Sequence, residues 1–126
     1  MMLLPPRPIA PDVYDATIVE ATIVAFEWRA NRGNPDGLSL RVAVEIEAED
    51  GPAHVVDAAD LTNADRIAAV FASAGLPAPT DVRSAIDTLV GRDVRLTVKN
   101  HSPRLGRHAG SIKAAVGSWL RPAVPA

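Results

Sequence analysis

Apolar residues recur at two different periods along the chain, and the change from one to the other marks its elements. In residues 38–48, LSLRVAVEIEA, Leu40, Val42, Val44, Ile46 and Ala48 alternate with Ser39, Arg41, Glu45 and Glu47. That is the period of a strand with one buried face. Residues 13–28, VYDATIVEATIVAFEW, are rich in β-branched and aromatic side chains, and Tyr14, Ala16 and Ile18 share a face before the alternation slips near residues 20–22. A bulge or bend explains the slip, because one extra residue switches the inward face and curls the sheet. The turn Asp50-Gly51-Pro52 leads into a third strand over 54–59. Gly91 opens a fourth, in which Val94, Leu96 and Val98 point inward. A fifth covers 111–120, with Ile112, Ala114 and Val116 on one face and Lys113 on the other.

The period becomes helical in residues 62–76, TNADRIAAVFASAGL, where Ile67, Val70, Phe71 and Ala74 form one stripe. Thr62 or Asn63 caps the start, Asp65 suits the positive end of the helix dipole, and Gly75, Leu76 and Pro77 form the stop. A weaker helix runs from Thr80 to about Leu89. Three strands, a helix and two more strands in an otherwise antiparallel chain predict an all-β fold with a helix insertion. The architecture expected is a five-stranded OB-like β-barrel, with an α-helix between strands 3 and 4 plugging one end.

Residues 1–12 contain four prolines and no periodicity, and are expected to be a flexible leader lying on the surface or disordered; 121–126, RPAVPA, are expected to be a flexible tail. The domain is then 13–120. With 126 residues the chain is long enough for one core without staples, and its zero cysteines exclude disulfides and thiol chemistry. No run approaches the length of a membrane span and no signal peptide is evident, so a cytoplasmic location is expected. The net charge of -2 argues against a generic nucleic-acid binder until its distribution is considered. Residues 1–60 hold eleven acids against four arginines, whereas 61–126 hold four acids against nine Lys or Arg, so a local positive surface is available.

Several segments together resemble a known family. They are Val13-Tyr14-Asp15-Ala16 with Ile18 and Glu20, the strand LSLRVAVEI, the helix ending Ala74-Gly75-Leu76, and Leu89-Val90-Gly91-Arg92-Asp93-Val94. Over residues 11–116 the chain resembles a family of phage and prophage OB-fold single-stranded DNA-binding proteins. The resemblance implies sequence-nonspecific binding of single strands in phage-type DNA replication or recombination, in the host cytoplasm, with no cofactor. Asp12 stands where the family more often has a glycine, Arg29 and Arg32 where it has more lysine, and RPAVPA where many single-strand binders have an acidic, partner-recruiting tail.

An OB-fold binds oligonucleotides on the face of strands two and three and on the loops joining strands one to two and four to five. Both loops are basic here: Trp28, Arg29 and Arg32 belong to the first, and Lys99, His101, Arg104, Arg107 and His108 to the second. Arg41, Arg95 and Lys113 point outward and extend the groove. Cations follow phosphates, and Trp28 offers a face for a base to stack on. Glu45 and Glu47 repel phosphate, so a strand crossing this face passes near Arg41. Two linked grooves in a homodimer would raise apparent affinity. The other readings are a barrel that grips a protein partner, and a metal-dependent nuclease built on Asp57, Asp60 and Asp65. His54, His101 and His108 show no paired metal spacing, and no phosphate cradle or nucleophile elbow occurs, so a non-enzymatic role is expected.

Overall fold

A computed structural model describes residues 2–102 and 112–122. Its main element is a five-stranded antiparallel sheet of β1 (Val13–Ala25), β2 (Leu38–Ala48), β3 (Gly51–Asp60), β4 (Asp93–His101) and β5 (Lys113–Leu120), in the order β3-β2-β1-β4-β5. The all-β expectation holds in this form. Helix content is small: α1 (Ala64–Ser73), α2 (Val82–Ala85) and two 3-10 turns, Glu27–Arg29 and Ile86–Thr88. The weaker helix expected over 80–89 is therefore two short pieces, its first turn capped by Asp81 rather than Thr80.

The inward faces are those the alternation predicts. Ile18, Leu40, Val42, Val44, Ile46, Leu96 and Val98 are buried with Val70 and Phe71 of α1. The register of β1 against β2 shifts between Ile18 and Glu20, at the slip in the pattern. There the Ile18 carbonyl accepts from Gly91 and its amide donates to Arg92, so the bulge turns the strand from β4 toward β2. A second shift lies between Leu96 and Val98 opposite Gly117, where a Cβ would meet the Thr97 hydroxyl at 2.6 Å. Ile112 departs from expectation: it is 60 % exposed rather than inward.

The barrel itself requires correction. No backbone ladder joins β3 to β5 among the described residues, and the sheet is not closed. The helix also differs from the position expected for it: with no barrel end to plug, α1 lies against β5 and β4. Side chains explain why the two edges approach without pairing. Asp57, on the inward parity of β3, accepts from Arg66 Nε of α1 at 3.0 Å and from Trp119 Nε1 of β5 at 2.6 Å. Arg66 then donates to the carbonyls of Gly117 and Val116 at 3.1 and 3.3 Å. A guanidinium thus stands where ladder partners would otherwise meet. The far end of α1 is fixed by buried Ser73, whose hydroxyl donates to the Arg95 carbonyl and accepts from its amide, at 2.9 and 3.0 Å.

The proline-rich segment 2–12 runs across the other end of the same seam. Arg7 pairs with Asp50 through two contacts of 2.7 and 2.9 Å and reaches the carbonyls of Gly51 and Pro52 at the start of β3. Its own carbonyl accepts from Ala114 of β5 at 2.9 Å. Ile9 is buried in the core with its amide on Asn100 Oδ1, and the Tyr14 hydroxyl closes a corner on the Ala10 carbonyl.

Asp57→Ala would leave a buried indole N–H and a half-buried guanidinium without their acceptor. It is expected to lower stability by about 1 to 3 kcal/mol in urea unfolding. Asp57→Asn, which keeps an acceptor for Trp119 but removes the charge facing Arg66, should fall between it and the parent. Equal stability of all three proteins would show that the seam does not depend on this carboxylate.

Candidate nucleic-acid interface

The turn between β1 and β2 begins where Phe26 leaves the sheet. Its amide donates to the carbonyl of Gly37 at 2.9 Å, and Gly37 has a φ of 61° with no room for a side chain, since a Cβ would lie 1.9 Å from the Phe26 carbonyl oxygen. This close approach holds the 3-10 turn Glu27–Arg29 against the sheet. Trp28 is 74 % exposed there, its ring centroid 5.5 Å from that of Phe26 at a tilt of 39°. Arg29 lies over both rings, 4.7 Å from the Trp28 centroid and 5.4 Å from that of Phe26. Its Nη1 also donates to Ser39 Oγ at 3.1 Å and to the Ala58 carbonyl at 2.9 Å. Arg29 is thus committed to fixing the aromatic pair on β2 and β3.

The rest of the loop is held by Asn34, which is buried and exchanges side-chain hydrogen bonds with both backbone groups of Leu38. Arg32 is an exposed central residue of the turn closed by the backbone of Asn31 and Asn34. Asn34 also reaches Asp60, whose carboxylate accepts the hydroxyl and amide of Thr62 at 2.6 and 2.8 Å. The Thr62 hydroxyl is the main cause holding Asp60 below its ordinary 3.8. A lowered carboxyl contributes stability above its unfolded value and loses it as pH falls through its folded one. The contribution of Asp60 to this turn is therefore present above about pH 3.8 and is lost as pH falls below it.

From Phe26 a groove of about 870 Å³ continues past Arg41, His54, Val56, His101 and Lys113 to Leu3 and Leu4 of the leader. His101 and Lys113 are direct partners in the β4–β5 register, and Lys99 is exposed on the same side, opposite Ala115. Arg41 is paired with Glu20 from β1. Trp28, Arg29, Arg41, His101 and Lys113 are thus gathered along one outer surface. Arg95 is not. It lines a separate hollow of about 560 Å³ with Asp15, Glu45, Glu47 and Asp93, where carboxylates dominate. Arg104, Arg107 and His108 lie outside the described residues.

Phe26, His54 and the leader join this surface without having been singled out. Phe26 stands two residues before Trp28, which was the available signal; His54 and the leader are brought in by cross-strand register and by Arg7. The acids weighed for a metal have other partners: Asp57 holds Arg66 and Trp119, and Asp60 caps the Thr62 turn. No group of three His, Cys, Asp or Glu that could hold a metal ion occurs among the described residues. Nor is any helix described here long and apolar enough to cross a membrane.

Arg29→Ala removes two hydrogen bonds and the cation above both rings, and is expected to cost about 1 to 2 kcal/mol in chemical unfolding. Trp28→Ala should change stability by less than about 0.5 kcal/mol, since the ring is largely in water. The same variant should abolish the acrylamide-accessible part of the tryptophan fluorescence, because Trp119 is buried. If the accessible part persists, Trp28 is not the exposed ring.

No protein-family model and no curated protein matches the chain.

Proposed function

We propose that the chain binds single-stranded DNA without marked sequence preference, along the surface that runs from Trp28 and Phe26 past Arg41 to His101, Lys113 and Lys99. The observation that carries this reading is the exposed Trp28 ring, set beside the half-buried Phe26 and braced by Arg29, next to a groove lined by Arg41, His101 and Lys113. A nonspecific single-strand site needs the two components that meet here. Aromatic faces stack bases at roughly 1 to 3 kcal/mol each, and cations track phosphates. Arg29 acts in this scheme by positioning the rings, and Arg41 meets phosphate after giving up Glu20 or while sharing its charge with it. The carboxylate hollow around Asp15, Glu45, Glu47 and Asp93 repels a polyanion, which directs the strand toward Arg41 and away from Arg95.

The architecture supports the same reading as an OB-like sheet left open between β3 and β5. It presents the strand-two and strand-three face and the β1–β2 loop as such folds do when they bind oligonucleotides. With the resemblance of residues 11–116 to phage and prophage single-strand binders, the role proposed is protection or presentation of single strands in phage-type replication or recombination, in the host cytoplasm. A homodimer would place two short grooves on one strand and raise apparent affinity.

Fluorescence anisotropy of a labelled oligo-dT of about thirty nucleotides, titrated at several salt concentrations beside a duplex control, tests this. Contacts to about three phosphates predict a log-log slope near -2 for the single strand, with weak duplex binding. Trp28→Ala should weaken binding about 5- to 100-fold with little change in slope. The double variant Arg41→Ala, Lys113→Ala should flatten the slope. Absence of binding at low salt would sink the nucleic-acid reading and leave the groove to a protein partner.

A further inference from the structure

We propose that residues 2–6 form a strap, latched across the groove between β3 and β5 by the neutral ring of His54 and released when that ring takes up a proton. The Leu4 amide lies 2.7 Å from His54 Nδ1, and Nε2 lies 3.2 Å from Glu45 Oε1. An amide N–H can only donate, so Nδ1 is the acceptor and Nε2 carries the hydrogen that goes to Glu45. In this tautomer both ring nitrogens are satisfied. A further proton has one place to go, Nδ1, and there it turns the contact with Leu4 into two donors facing each other. The His54 side chain is only 6 % exposed, so the ring has little freedom to turn into water while the strap covers it.

Among the described residues, charged groups lie around His54 on several elements. Glu45 on β2 is in contact with its Nε2. Arg41 on β2, His101 on β4 and Lys113 on β5 line the same cavity, and Arg41 is itself paired with Glu20 of β1. Arg7 and Asp50, at the hairpin end, neutralise each other. Histidine is the side chain whose charge changes between about pH 5 and 8, so mild acid is the signal to which such a latch responds.

Release is confined to a short segment. Arg7 stays anchored on Asp50, Gly51, Pro52 and Ala114, and Ile9 is in the core. Pro5 and Pro6 have no N–H to give, and among the described residues the Leu4 amide makes the one hydrogen bond of residues 2–6. Lifting residues 2–6 uncovers the groove beside Val56 and Phe26, and the same proton adds a positive charge to a wall that already carries Arg41, His101 and Lys113. For a single strand, and resting on the reading above, mild acid therefore opens the path and strengthens it together.

The latch is tested without any ligand. In labelled protein at pH 7.5, long-range proton–nitrogen spectra should give the Nε2–H tautomer for His54. The Leu4 amide protection factor, corrected for intrinsic exchange, should fall at least fivefold by pH 5.5 in step with the His54 titration, while that of Ile9 holds. His54→Phe should leave Leu4 equally unprotected at both pH values, again with Ile9 protected as the sign of an intact fold. An Nδ1–H tautomer, or Leu4 protection that ignores the titration of His54, overturns the proposal. Oligo-dT affinity should rise from pH 7.5 to 5.5 in the parent and lose most of that rise in His54→Phe. If the spectra show the latch and no oligonucleotide binds at either pH, the strap stands and the nucleic-acid reading falls.

Discussion

The structure depends on how two strand edges that never pair are kept together. β3 and β5 each present a row of backbone groups toward the other, and an open edge of this kind exposes unsatisfied donors and acceptors and invites pairing with another chain. Two arginines occupy the gap instead. Arg66 comes from α1, is held by Asp57 of β3 and donates to carbonyls of β5. Arg7 comes from the leader, is held by Asp50, and donates to carbonyls of β3 while its own carbonyl takes the Ala114 amide of β5. One guanidinium fork, with several donors in fixed directions, does at each end what a few ladder bonds would have done. Both anchors come from outside the sheet, so the helix and the leader are part of what keeps it curved.

That arrangement explains which parts of the fold were legible in the sequence. The strict alternation of residues 38–48 needed no tertiary information, and β2 has the expected bounds. The slip near residue 20 was legible as well, because a bulge leaves its mark in the phase of the apolar positions. Closure was not legible. A carboxylate at position 57 looks like solvation when the chain is read locally, since the indole and guanidinium that need it lie 62 and 9 residues away. The contacts of the leader were not legible for a related reason: its prolines mark an absence of helix and ladder, whereas Arg7 and Ile9 are single residues with distant partners.

The candidate surface was partly legible on the same terms. Basic residues near Trp28 and in the β4–β5 hairpin could be counted along the chain, but sequence order could not separate the cations that line the groove from those, such as Arg95, that do not. Arg95 has the outward parity expected of it, yet its neighbours across the sheet include Asp15, directly opposite in β1, and the hollow around it is acidic. Arg29 is the converse case. Its charge suggested contact with a phosphate, and its geometry spends that charge on two aromatic rings, a hydroxyl and a carbonyl.

The division between the acidic hollow and the cationic groove has a single structural seam of its own. Glu45 and His54 are directly opposed in the β2–β3 register; Glu45 lines the hollow and His54 lines the groove, and the two meet through Nε2. Arg41, which also lines the groove, pairs with Glu20 of β1. Because strand side chains repeat every two residues, Arg41 and Glu45 face the same way with only Ala43 between them, and Ala43 is fully buried and cannot insulate them by reaching into water. Opposite charges so close on one face give a steep change of potential across a few ångströms. A polyanion of the kind proposed above would be drawn to the Arg41 side of this face and kept from the Glu45 side.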